Sequence, residues 1–189
     1  SVGPLAAAWA VLNHFGDEGY LEIARQVLDA TRRIADAIEA MPDLRLLGRP
    51  EMNLVAFASD TVSVFHVIDE MKLRGWYIQP QLGFASSREN IHLSIMPSNV
   101  RWVDAMLADL YWIRALQHYG RERLKPGGDR RYDLLYPLLE LATTLDPRFT
   151  VGYRFGAIFL AEPHPGGAGR PDEAISLLEK GIAANPAKW

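Results

Sequence analysis

The stretch NVRWVDAMLADLYWIRALQHY, residues 99–119, decides how the rest of the chain is read. It follows Pro97-Ser98 and runs for some twenty residues without a glycine or a proline, so it predicts one long helix. The patterns on its two sides differ in period. The helix is therefore expected to be the joint between two architectures, a first domain over residues 1–109 and a helical array over 110–189, shared across about 99–119.

Upstream, residues 4–40 are helical. Pro4 suits a first helical turn, and Leu5, Ala8, Trp9, Leu12 and Phe15 recur at the spacing of one helix face before Gly16 interrupts. Asp17 then caps a second helix whose apolar stripe runs from Tyr20 through Ile23, Val27 and Ile34 to Ile38. Short apolar runs bounded by Pro, Gly, Asn and Asp predict strands at 44–48, 54–58, 76–78 and 91–95, with one helix ending near Gly75 between the second and third. The expected fold class is a small α+β domain, a mainly antiparallel β-β-α-β-β sheet with helices packed on one face, followed by an all-α array.

Downstream, helices are expected over about 132–145, 150–161 and 171–184, separated by Asp146-Pro147 and by two Gly/Pro-rich loops, 121–131 and 162–170. Pro147 and Pro186 end equivalent turns 39 positions apart. A tetratricopeptide (TPR) repeat has a period of about 34 residues, so an insertion of roughly five must sit between the paired helices. Residues 163–169 can hold it. In that register Tyr153 takes the large aromatic position of one helix, with Gly156 and Ala157 where the helices cross closely. On the next helix Ala174, Leu178, Gly181 and Pro186 take the small, large, small and terminal positions. Trp112, Ala115, Leu116 and Tyr119, then Leu139, Ala142 and Pro147, repeat the pattern upstream, with Leu135 standing where the repeat usually has alanine. Two repeats fall short of the ~3 that usually suffice for stability, so the array is expected to lean on the preceding domain or to continue beyond Trp189.

The 189 residues are 49% hydrophobic and 23% charged, with a net charge of -3, which describes a folded globular chain without the basic excess that nucleic acid demands. No cysteine is present, which removes disulfides and thiolate metal sites. No apolar run reaches the ~20 residues of a membrane span. A cytoplasmic setting is expected. His14, His66, His92, His118 and His164 form no i, i+3 or i, i+4 pair, so no metal site is expected.

The segments PLAAAW (4–9), GDEGY (16–20), VAF (55–57) with Ser59-Asp60, RGW (74–76) and Ile91-His92 together resemble the C-terminal segment of sphingosine-1-phosphate lyase and related fold-type-I decarboxylases, over residues 1 to about 110. The resemblance implies the small domain of an enzyme that holds pyridoxal phosphate on a lysine and uses it as an electron sink for cleavage beside an amine. That lysine lies, in the family, upstream of the matched segment. Lys72, Lys125, Lys180 and Lys188 stand in no comparable setting, and no cofactor or catalytic residue is expected in this chain.

His92, on a strand the family places near its substrate channel, and Ser87 and Arg88, in a loop able to hold an anion, are read as a remnant of that channel. Against this stands an ordinary sheet histidine and a plain mobile loop. The overall expectation is a non-catalytic interaction or scaffold chain, a natural fusion or a chimera, binding a peptide or protein through the repeat face and open to homo-oligomerisation. The alternative is part of a pyridoxal-phosphate lyase or decarboxylase whose lysine-bearing domain is supplied elsewhere. The opening at Ser1-Val2-Gly3 rather than at Met suggests a longer parent.

Overall fold

A computed structural model describes residues 2–188; the expectations that rest on Ser1 and Trp189 lie outside them. The chain forms two compact units. One comprises the residues up to Thr61 together with Gln79–Arg101, the other Val62–Ile78 together with Trp102 onward. The expected boundary at 109/110 falls inside the second of these units.

In the first unit, helix α1 (Val2–Ala40) is broken in direction at Gly16, whose φ of 60° and ψ of -174° only glycine adopts without strain. The two expected helices are therefore present, joined by a kink. Only the second half buries a face, through Ala30, Thr31, Ile34, Ala35 and Ile38, and it packs on β1 (Arg45–Leu46) and β2 (Leu54–Ala58). The first half leaves Leu5, Trp9 and Leu12 exposed.

The sheet has the order β1-β2-β4-β3 and is antiparallel throughout, with β3 at Gln79–Gln81 and β4 at Asn90–Ser94. Val55 and Phe57 of β2 and Ile91 and Leu93 of β4 turn to the buried face, following the two-residue period of a strand. The sheet lacks the strand expected at 76–78; pairing starts at Gln79 instead. Pro80 has no N–H for a ladder, which an edge strand tolerates, and the backbone N–H of Trp76 is committed to the carbonyl of Met71 at 3.0 Å.

The second unit is helical. Helix α2 (Val64–Leu73) packs on α3 (Val103–Leu124), and α3 pairs with α4 (Leu135–Leu145) as α5 (Thr150–Ala161) pairs with α6 (Pro171–Ala184). Helix α3 runs unbroken through 110–119, preceded by a 3-10 turn at Val100–Trp102. It is buried on every face, eight of its residues between Leu107 and Ala115 being inaccessible, so it acts as the central post of the unit. Helix α4 starts at Leu135, three residues later than expected, because the buried Tyr132 is committed to a loop.

The crossing of α4, α5 and α6 closes on Gly156. A Cβ there would stand 2.9 Å from both Cδ atoms of Leu139 and 3.0 Å from Cδ2 of Leu177, two side chains with no room to retreat. Leu177 fills this position, and Leu178 beside it is half-buried. Replacing Gly156 with Val is expected to cost about 1–3 kcal/mol through overpacking, despite the poor helix propensity of glycine. Urea denaturation followed by circular dichroism checks this, and an unchanged midpoint would show that the crossing relaxes freely.

Candidate functional site

The helical unit concentrates its polar and aromatic specificity along α3. Near its start, Asp109 receives two donors from the turn after α2. Arg74 Nη1 donates to Oδ1 at 3.1 Å and Trp76 Nε1 to Oδ2 at 2.8 Å. The Arg74 guanidinium also lies 5.9 Å from the ring centroid of Phe149, at the entrance to α5. One carboxylate thus ties α2 to α3, and its arginine reaches the next helical hairpin. A charged acceptor shared by two partly buried donors leaves both unsatisfied when it is removed.

Further along, Trp112 meets Phe149 edge-on at 5.7 Å and stacks on Phe159 at 6.4 Å, while Tyr119 stacks on Phe159 at 4.3 Å. The aromatic positions expected at Trp112, Tyr119 and Tyr153 are all buried. Tyr153 donates its hydroxyl hydrogen to the carbonyl of Thr143 at 3.2 Å. Ala174 is buried and Pro186 exposed. The terminal turn is instead held by its neighbour Asn185, whose Nδ2 donates to the carbonyl of Pro147 at 2.7 Å and so links the turn after α6 to the turn after α4.

The two Gly/Pro-rich loops dock on each other. Arg130 Nη1 and the Tyr132 hydroxyl both donate to the carbonyl of Pro165, at 2.8 and 3.1 Å, and the Tyr119 hydroxyl donates to Glu162 at 2.6 Å. Burial and this carboxylate raise the Tyr119 hydroxyl above its ordinary pKa. The partners of Tyr132, Phe149, Phe159 and Glu162 are not legible in the sequence, because spacing within one helix does not reveal partners in a different loop; Asn185 is legible only as part of the turn with Pro186.

Arg114, His118 and Glu122 form a buried polar line on α3 at four-residue spacing. Burial alone would raise the Glu122 carboxyl, but the Lys125 ammonium at 2.8 Å and the Arg131 amide at 2.8 Å hold it below the usual carboxylate value. Both His118 ring nitrogens are buried without a hydrogen-bond partner among the described residues. Burial therefore lowers its pKa below the ordinary 6.5, outweighing the opposing pull of Glu122.

The residues read as a channel remnant are all placed on or beside the sheet. His92 pairs across the ladder with Ala56 and with Gln79, on the sheet face opposite Ile91 and Leu93, and is half-buried. Ser87 is in a tight turn, exchanging backbone hydrogen bonds with Phe84, and Arg88 is in an ion pair with Asp60. The charge that an anion would need is thus already answered.

The lysines test whether this chain could carry pyridoxal phosphate. Lys125 is bound to Glu122, and Lys180 donates to Thr144 Oγ1 at 2.6 Å and to the Glu140 carbonyl at 3.1 Å. Lys72 and Lys188 are exposed. Two of the four lysines are thus held by partners within the helical unit, and two are exposed. Among the described residues no group of three or more His, Asp or Glu side chains is placed to hold a metal ion, and no helix is long and apolar enough to cross a membrane.

Over rather more than half its length the chain is homologous to pyridoxal-phosphate-dependent lyases and group II decarboxylases. It is 35% identical over 107 residues to sphingosine-1-phosphate lyase from Arabidopsis thaliana, covering 56% of this chain and 19% of that protein. It is 32% identical over 110 residues to a probable L-tyrosine/L-aspartate decarboxylase from Methanothermobacter thermautotrophicus, covering 58% and 29%. A solved sphingosine-1-phosphate lyase from Burkholderia pseudomallei superposes with a TM-score of 0.55 at 30% identity, covering 66% of this chain and 28% of that one. The chain thus spans less than a third of the length of these relatives. No protein-family model matches it.

Two outcomes follow from the polar line and the carboxylate tie. Asp109→Ala is expected to lower stability by about 1–3 kcal/mol, with faster amide hydrogen exchange in α2 than in α6; equal acceleration in both would show that Asp109 holds no particular helix. For His118, a lowered folded pKa means that the unfolded chain binds the extra proton more readily. The stability it confers is full above about pH 6.5 and is lost as pH falls through the lowered value. Thermal melts between roughly pH 5 and 8 should show this slope, and His118→Phe should flatten it.

Proposed function

We propose that this chain is a non-catalytic interaction or scaffold segment, in which the small domain of a pyridoxal-phosphate lyase type, residues 1–109, is joined to two TPR-like helical hairpins over 110–189. The observation that carries the reading is the Gly156 crossing, where small residues let α4, α5 and α6 approach as paired repeat helices do. The tie from Asn185 to the carbonyl of Pro147 supports it, since it joins the two turns that the repeat register makes equivalent. The shared helix supports a fusion, and α2 serves as the cap that a two-repeat array requires at its open end. The partner is a peptide or protein bound at the helical unit, in a cytoplasmic setting.

A second reading is favoured by a specific feature. The exposed apolar residues Leu5, Trp9 and Leu12 on α1 suit a helix that covers, or is covered by, another polypeptide. In that reading the segment is the small domain of a lyase or decarboxylase acting on an amine or amino acid, the lysine-bearing domain being supplied elsewhere. A homo-oligomer formed through the same helix is consistent with either reading.

Borohydride reduction after addition of pyridoxal phosphate, followed by mass spectrometry of the peptides, separates the cofactor-binding possibility from the scaffold. No stoichiometric adduct is expected on Lys72, Lys125, Lys180 or Lys188; full labelling of one of them would overturn the scaffold reading.

A further inference from the structure

A groove of about 450 Å³ runs between α2 and α3 and has been given no role above. One wall is built from His66, Asp69 and Glu70, which share a face of α2 at i, i+3 and i+4; the other is built from Ile113, Leu116 and Gln117, at the same spacing on α3. Its base is apolar, Ile113 being 1% exposed and Leu116 half-buried, while its acidic rim is open to solvent. Neither Asp69 nor Glu70 takes part in an ion pair or a hydrogen bond among the described residues. Of the basic residues on these two helices, Arg114 is buried and engages Gln117, Lys72 is exposed at the end of α2, Arg121 lies one turn beyond Gln117, and His66 shares the wall with the two carboxylates.

We infer that this groove takes a basic side chain flanked by apolar residues from a protein partner. The reasoning is one of complementarity. An ammonium or guanidinium group would meet two carboxylates that have no other counter-charge, and the aliphatic stem of lysine or arginine would cover Ile113 and Leu116. An anionic ligand would be repelled by the rim, and a purely apolar one would leave the two carboxylates without a partner while crowding their hydration. The groove rests on the interaction-chain reading and gives its partner a chemistry.

The test uses the full chain, labelled with nitrogen-15, and the acetylated and amidated peptide Ala-Leu-Lys-Leu-Ala, with a counterpart carrying norleucine in place of lysine. Saturable shifts of the amides of residues 66–70 and 113–117 are expected with the lysine peptide. Binding should be about tenfold weaker for the norleucine peptide and for the double variant Asp69→Asn with Glu70→Gln, and unchanged for the exposed control Glu179→Gln. Shifts centred elsewhere, equal binding of the two peptides, or equal weakening by Glu179→Gln would overturn the inference. So would no binding at all. The borohydride experiment is independent of this one: a chain that takes no cofactor label but ignores the lysine peptide loses the groove and retains the scaffold reading.

Discussion

The carboxylate of Asp109 accepts hydrogen bonds from Arg74 and Trp76, residues that precede it by 35 and 33 positions. That one acceptor decides where the turn after α2 goes. The backbone N–H of Trp76 closes the end of α2 on the carbonyl of Met71 while its indole is held on α3, and sheet pairing begins at Gln79; Arg74 is held on α3 too, and its guanidinium reaches the ring of Phe149. Helix α2, which lies in sequence between two pairs of strands, belongs by packing to the helical unit.

The helical unit combines close apolar packing with a line of buried polar groups, and the two behave differently. Gly156 allows Leu139 and Leu177 to meet across three helices, a contact that depends on the absence of a single methyl group. Arg114, His118 and Glu122 are buried at four-residue spacing on one helix; Arg114 donates to Gln117 and Glu122 is answered by an ammonium and an amide hydrogen. His118, with no such partner, stays buried by remaining neutral. The groove beside it on the α2 side inverts that logic, with carboxylates that are exposed and have no counter-charge. Buried ionisable groups report on how this unit is held together, whereas the exposed pair offers something to a partner.

Homology to lyases and decarboxylases covers rather more than half of the chain, and the chain itself spans under a third of those proteins. The sheet and the second half of α1 preserve a core, while the first half of α1 shows solvent an apolar face. His92, Ser87 and Arg88 illustrate what a matched motif does not settle. His92 faces away from the sheet's core and Arg88 is neutralised by Asp60, so residue types that suggested an anion site are committed to local structure.

Period and punctuation in the sequence determined most of the elements. The unbroken run from 99 to 119 reads as a helix because nothing in it disfavours one, and Thr150–Ala161 and Pro171–Ala184 are bounded as their flanking prolines and loops require. That Trp112, Tyr119, Tyr153 and Ala174 are buried was legible for the same reason, since helical spacing places such residues on a common face. What remained illegible were contacts between segments distant in sequence. The docking of loop 125–132 on loop 162–166, the choice of Leu177 over Leu178 at Gly156, and the capture of Trp76 by Asp109 all depend on which surfaces meet. Local spacing fixes the face on which a side chain lies; only the tertiary structure decides which donor, acceptor or ring stands opposite it.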